Sequence, residues 1–544
     1  MRPARSLLLA MVAAAPLAAQ SASHAHHPAA TGDGVPLYDN LGTLHRRVTT
    51  RVPRAQQYFD QGLRLYYAFN HEASVTAFRE AQRLDPACAM CAWGEAMALG
   101  PNINAPMDSA AGVAAHAAVK RAGAKAASGT ALEQALVRAA ALRYAAVPPA
   151  RRAGLDSAYA RAMRELALRH GDDADVLALA AEAQMDLSPW AYWEASGAPR
   201  PGTAELVRWL EAALAINPDH PGACHFYIHA VEAREPAKAV PCAERLARLM
   251  PGAGHLVHMP GHIYIRVGRW ADAIDANRHA VHADETFLEG PTAVRGGVYE
   301  GGYYAHNWHF MAFAATMAGA SALAQEASAQ AAKVITPEMA RTVPGAEPIL
   351  PLPFYTAVTF GRWQEVLRLP LPPADLALAS GMAHYARGIA FAALGRRAPA
   401  RAALDTVRAR GTALPAGDPR TVLEIAALVL EGELQLRNRD LAASVRSLQR
   451  AVQLEDGLTY MEPPTWYYPV RHSLGKALLA VGRAAEAEQA YREDLARFPE
   501  NGWSLLGLYQ ALSAQRKSAE AAQVQRRFEV AWRNADVTIG SSRF

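Results

Sequence analysis

Apolar positions recur three and four residues apart through almost the whole stretch from Ala55 to Ala535, the spacing that lines one face of a helix. The opening segment, AQQYFDQGLRLYYAFNHEASVTAFREAQRLDP, shows the pattern: two amphipathic stretches, a short break at Phe69–Asn70, and a stop at Pro86. Sustained alternation of period two, the mark of a half-buried strand, does not appear. The pattern predicts an all-α chain of antiparallel helix pairs.

Gly62, Phe78, Ala81 and Pro86 fall at the small, aromatic and terminating positions of a helix–turn–helix repeat of about 34 residues, the tetratricopeptide repeat. Related punctuation recurs in GRWADAI (Gly268 to Ile274), GRWQEVL (Gly361 to Leu367), ALGRRAPARAAL (Ala393 to Leu404) and VGRAAEAEQAY (Val481 to Tyr491), each marking a tight turn inside one repeat. The expected fold is therefore a tetratricopeptide-repeat solenoid with a concave groove. Along it we expect a signal peptide over 1–25, a linker over 26–54 and N-terminal repeat helices over 55–107. An Ala-rich helical insertion or degenerate repeats, ending in the aromatic loop MDLSPWAYWEASGAPRPGTAE, covers 108–201. Histidine-rich repeats follow over 202–340, and C-terminal repeat helices over 341–544.

Composition refines this picture in a few places. At 51% hydrophobic and 19% charged, the chain is globular rather than disordered. Arg2 and Arg5 followed by the apolar run Leu7 to Ala19 read as an export signal, and no later apolar stretch reaches the roughly 18 residues that span a bilayer. A net charge of +4, without basic runs interleaved with aromatics, gives no sign of a nucleic-acid partner. In an oxidising compartment Cys224 and Cys242, on neighbouring helices, are expected to form a disulfide; for Cys88 and Cys91, a CxxC, a disulfide, free thiols and a soft metal site stay open.

The distribution of histidine points to chemistry. Ten of the 19 histidines lie between His220 and Phe310, seven of them in HFYIH (His225, His229), HLVHMPGH (His255, His258, His262) and HNWH (His306, His309). His225 and His258 are 33 residues apart, and so are His229 and His262. Taking Gly268 and Gly319 as turn glycines puts His255, His258 and His262 at repeat positions 2, 5 and 9, and His306 and His309 at positions 2 and 5. His225 and His229 take positions 5 and 9, with Glu232 at 12. These are groove-facing positions of the first helix of a repeat. Residues four apart on a helix have Cβ atoms about 5–6 Å apart, so each HxxxH can close on one ion, and adjacent helices lie about 8–10 Å apart. A four-imidazole cage of His225, His229, His258 and His262 is the expectation, with His306 and His309 as further ligands or a second site, and Glu232 as ligand, outer-sphere partner or catalytic base.

His255 and His472, the latter at position 5 of a later repeat, are expected to line the cavity, with Glu462, Tyr468 and Arg471 of MEPPTWYYPVRH as polar groups near a substrate. His71 and His384 read as structural, and His220, His279 and His282 as loop or surface residues. The bland alternative to a metal site is a polar network or a histidine-rich peptide groove.

The phrases FNHEA, DPACAMCAWGEAMALGPNIN, MDLSPWAYW, PDHPGACHFYIHAVEA, GHLVHMPGHIYIRVGRW and YYAHNWHF together resemble a family of exported bacterial tetratricopeptide-repeat proteins of mostly unassigned function. The resemblance spans the first repeat to the HNWH helix. It implies a repeat solenoid and an exported protein, and it supplies no reaction. The expected function is thus an exported solenoid that binds a transition metal (Cu, Zn or Fe, with Ni also suited to imidazole) and acts on a small molecule or peptide. Without an HExxH, redox chemistry is favoured over hydrolysis. The competing readings are a non-enzymatic scaffold for a peptide or partner protein, and a metal carrier.

Overall fold

The computed structural model describes residues 34–543, apart from 195, 291, 292, 295 and 344. The expected signal peptide and the first part of the linker, with His24, His26 and His27, lie outside the described residues. The described residues form helices joined by short turns, with no strand beyond two isolated bridges, Asn102 to Ala105 and Trp193 to Pro199. None of these helices is long and apolar enough to cross a membrane. The architecture is an all-α tetratricopeptide-type solenoid.

The repeat chemistry accounts for the helix pairs. Pro53–Tyr67 packs on His71–Leu84 through Gly62, where a Cβ would come within 2.8 Å of the Phe78 ring. Asn70 caps the second helix by accepting from the Ala73 amide at 3.3 Å. The turn glycines expected at 268, 319, 361, 395 and 482 all adopt left-handed backbone, φ between 68° and 81°. In the first repeat that position is taken by Phe69, φ 55°. The stretch read as an insertion holds four helices, Ser109–Lys125, Ala131–Ala141, Ala153–Arg169 and Ala174–Met185, which pack serially and continue the array.

Two contacts between distant parts of the chain close the array. At the start, Arg46 Nη1 donates to Asp173 at 2.9 Å and to Asp175 at 3.0 Å, and Tyr67 Oη donates to Asp175 at 2.7 Å, so the first helix is drawn against the helices around His220. At the end, the last repeats fold back on the middle of the chain. Trp270 Nε1 donates to the Pro499 carbonyl and Trp503 Nε1 to the Thr316 carbonyl, both at 2.9 Å, while Asp536 accepts from the Ser321 and Ala322 amides. Two hydrophobic cores result, one built mainly from residues 41–327 and one from 305–524.

Cys88 and Cys91 are disulfide-bonded at the start of the helix Ala89–Ala98. The disulfide expected between Cys224 and Cys242 is not formed: both are buried free thiols, and a hydrogen bond between them, followed by burial, pushes the Cys224 thiol far up. His220, read as a surface residue, is 1% exposed. Its Nδ1 accepts from the Ala223 amide at 3.0 Å and caps the helix Pro221–Val231, which leaves Nε2 to face Asp175 at 3.1 Å.

Candidate metal centre

Four helical segments bring the histidines together. His225 and His229 stand on Pro221–Val231, whose first turn is set by Pro221 and the His220 cap. His255 and His258 lie on Gly254–His258, and His262 on Pro260–Val267; the chain stays helical through Met259, but Pro260 lacks the amide that would continue the ladder. His306 and His309 follow on Ala305–Met317, entered through a π-helical turn, Tyr299–Tyr304, a widening that is common at functional sites. Asn307 Nδ2 donates to Asp284 at 2.6 Å, as does Tyr299 Oη, which anchors that helix.

Five of the seven clustered side chains are buried rather than lining an open groove, and His306 and His309 are partly exposed. His225 and His258 are fully buried, and His229, His255 and His262 expose no more than 2%. An open cavity of about 1270 Å³ lies elsewhere, between segment Leu44 to Val52 and the helix ends that carry Asp85, Glu133, Asp173 and His220.

The expected four-imidazole cage is repartitioned. The donor atoms form two trios, His225–His229–His255 and His258–His262–His306, each within 4.8 Å of one another. His255, expected only to line the cavity, is a full member of the first. His309 joins neither: its Nε2 is buried and unpartnered, and burial lowers its pKa to about 4.

Outer partners fix the tautomers of four rings. The Tyr67 carbonyl can only accept, so His225 Nδ1 donates to it at 2.7 Å. Asn277 Nδ2 donates to the Ala273 carbonyl, so its Oδ1 is the atom 2.7 Å from His258 Nδ1 and must accept. Gly261 leaves room for this amide, since a Cβ there would lie 2.8 Å from Asn277 Nδ2. Glu232 accepts from His229 Nδ1 at 3.1 Å through one oxygen and from His262 Nδ1 at 2.6 Å through the other. Burial alone would raise this carboxyl, but His262 and His229 hold it at about 2. With Nδ1 protonated and burial keeping these rings neutral, Nε2 of His225, His229 and His258 is a bare acceptor aimed inward.

Nε2 of His258 lies 2.8 Å from Nε2 of His262 and 3.2 Å from Nε2 of His306, while Nε2 of His225 lies 3.1 Å from Nε2 of His255. His229 Nε2 is buried with no partner. Burial, then the neighbouring rings, lowers His225, His255, His258 and His306 well below the usual histidine range, which keeps the rings neutral. An ion bound at about 2.0–2.1 Å by imidazole nitrogens in tetrahedral arrangement sets those nitrogens about 3.3 Å apart, close to what is seen. A donor set with nitrogen facing inward and the other ring nitrogen engaged by a carbonyl, an amide or a carboxylate fits a transition-metal ion.

Aromatic rings enclose it. Phe69 packs 4.5 Å from His225 and 5.7 Å from His255, Tyr303 4.5 Å from His255, and Phe310 4.8 Å from both His258 and His262. Trp190, from the loop the sequence marks as aromatic and turn-rich, sits 5.0 Å from His229 with its Nε1 donating to the Ile103 carbonyl and to Asn104. Composition marks that loop, but nothing in it singles out Trp190.

Of the C-terminal candidates, only Glu462 reaches this region. It is 3% exposed, accepts from Tyr460 Oη at 2.7 Å and lies 3.7 Å from Arg266, within electrostatic reach of Glu232 and His262. Burial, with Glu232 adding to it against Arg266, raises its carboxyl to about 7. Tyr468, Arg471 and His472 serve other ends. Tyr468 Oη accepts from Arg543 at 2.9 Å; Arg471 pairs with Asp456 at 2.8 Å and Glu493 at 3.2 Å; His472 Nε2 meets Asp494 at 3.0 Å. Register gives His472 an equivalent position within its repeat, but that repeat lies on a later turn of the array and packs against different helices.

No protein-family model matches the chain, and no curated protein matches it in sequence. Among solved structures it is similar to human IFIT1 in a dimer with m7Gppp-AAAA, at 12% identity over 90% of this chain and 92% of that chain, TM-score 0.34. It is also similar to the APC/C hetero-tetramer Cut9–Hcn1, at 12% identity over 88% of this chain and 74% of that chain, TM-score 0.29. Likenesses this distant carry no argument about what the chain binds.

Proposed function

We propose that this protein is an exported transition-metal protein whose ion is held by the buried His258 and His262 and the partly exposed His306, and that it works as a metal-dependent enzyme. One observation carries the reading. His258 and His262 each engage Nδ1 with an acceptor and turn Nε2 toward the same point, 2.8 Å apart, with Nε2 of His306 3.2 Å from that of His258, so three imidazole nitrogens converge at a spacing that suits one ion. A hydrogen-bonded polar network, the alternative, needs one of these rings to carry a second proton.

Three imidazoles leave a tetrahedral ion one open position, which can take water or a small ligand. A neutral, all-nitrogen set suits Cu, Zn or Fe, and the ion would supply Lewis-acid or electron-transfer chemistry at that position. Burial beneath Phe310 and Trp190 favours an enzyme over a carrier, which hands its ion over through exposed ligands. It also disfavours a peptide scaffold at this site, because a peptide does not reach His258 and His262, which are 0% and 1% exposed. Glu462, Tyr460 and Arg266 form the adjoining polar wall for a small molecule.

Metal analysis of the purified protein tests the proposal. At least one equivalent of Cu, Zn or Fe is expected after stripping and repletion, and the His258→Ala, His262→Ala double variant should bind one equivalent fewer than the wild type, while His472→Ala matches it. Less than about half an equivalent of any of the three in the wild type refutes it. A copper or iron spectrum that responds to reductant supports redox chemistry, and colourless zinc supports hydrolysis.

A further inference from the structure

The first trio is not needed to hold the ion just described. His225, His229 and His255 nonetheless repeat its construction: rings from two helices converge, Nδ1 of His225 is engaged by the Tyr67 carbonyl and Nδ1 of His229 by Glu232, and Nε2 of His229 is buried without a partner. Resting on the metal reading above, we propose that these three residues hold a second transition-metal ion beside the first, and that Glu232 couples the two centres by fixing one ligand ring of each.

One ion cannot serve both trios. Ligands bound at about 2.1 Å are at most about 4.2 Å apart, the separation of two opposite ligands. The donor atoms within each trio meet a reach of 4.8 Å, but the six do not gather into one set at that reach. The trios are nevertheless in contact, with ring centroids 5.3 Å apart for His229 and His262 and 5.8 Å apart for His255 and His258. Two like-charged ions this close repel, and an anionic group between their ligands offsets that repulsion.

Glu232 is such a group. It is fully buried, and it accepts one Nδ1–H from each trio through separate oxygens. An ion drawing electron density from His262 Nε2 makes its Nδ1–H a stronger donor, and the shared carboxylate passes that polarisation to His229. Glu232 also sits among His229 and His262 in a third geometric grouping, but there the ring atoms facing it are the protonated Nδ1 nitrogens, so it acts as a positioning residue rather than a ligand. Both oxygens of Glu232 are engaged by ligand rings, which is the arrangement of a positioning residue rather than of the catalytic base its sequence position suggested.

The test is metal stoichiometry of the full chain, with Cu(II) and Zn(II) as probes, after gel filtration. Wild type should take two equivalents, and its two-copper form should show a weaker paramagnetic resonance signal than two isolated Cu(II) ions. The His225→Ala, His255→Ala variant should retain one equivalent, and so should the His258→Ala, His306→Ala variant. Glu232→Gln keeps one acceptor oxygen and loses the charge the two centres share, so coupling predicts that both ions weaken roughly tenfold to a hundredfold, with partial recovery in Glu232→Asp. A wild type that stops at one equivalent overturns the second ion while leaving the first intact, and a protein that takes none refutes the metal reading itself. Loss of a single ion in Glu232→Gln, or of neither, overturns the coupling. The trio variants decide the stoichiometry whether or not Glu232→Gln folds.

Discussion

Two bulky residues at the histidine cluster carry a backbone conformation that glycine normally takes. Phe69 and Trp190 have φ of 55° and 63°, while Arg439, Glu500 and Arg516 are the other described non-glycine residues with positive φ, at turns remote from the histidines. For an aromatic side chain that conformation costs on the order of 1–3 kcal/mol and persists where surrounding contacts over-determine it. At Phe69 the contacts are the rings of His225 and His255. Phe69→Gly should therefore release backbone strain while opening the first trio to water, so chelator competition should show weaker metal binding with little change in unfolding midpoint. Arg516→Gly, at an exposed turn, should be neutral to about 1 kcal/mol stabilising with metal binding unchanged. The histidines themselves were legible from their 33-residue spacing. Their partition was not, because the acceptor that orients His225 is the Tyr67 carbonyl, 158 residues earlier, and no local pattern encodes that pairing.

Helical periodicity placed the histidines on the right elements, and the turn glycines gave the register. Two local departures were invisible: the break at Pro260 within HLVHMPGH, and the π-helical turn Tyr299–Tyr304 that sets the approach of His306. The latter has an electrostatic counterpart in His309, on the same helix as His306. Burial lowers its pKa to about 4, against an unfolded value near 6.5. The folded state thus keeps this ring neutral where the unfolded chain takes up a proton. Its contribution to stability is present above pH 6.5 and is lost as pH falls from 6.5 to 4, by roughly 3 kcal/mol at most. The metal-free protein should weaken along this acid limb, and His309→Gln should flatten it in denaturant midpoints recorded at pH 7, 6, 5 and 4. Equal slopes in the two proteins would show that the ring titrates as it does in water.

At the scale of the whole molecule, the solenoid was readable from its repeats and the closure was not. Repeat punctuation reports how each helix meets its sequence neighbour, whereas the bond from Trp270 to Pro499 joins residues 229 positions apart. The same closure brings Glu462 to Arg266 and Glu232, which is why one residue of MEPPTWYYPVRH reaches the histidines while Tyr468, Arg471 and His472 stay in the second core. Trp503, 2% exposed and donating to the Thr316 carbonyl, is a pin of that closure. Trp503→Ala should cost about 3–5 kcal/mol and should speed release of bound metal to a chelator, although no ligand is touched; an unchanged release rate would separate the closure from the centre. The clasp formed by Trp270, Trp503 and Asp536 ties the last repeats to the helix that carries His306 and to the helix that follows that of His262, so the exchange rate of the proposed ion should follow the stability of contacts that touch none of its ligands.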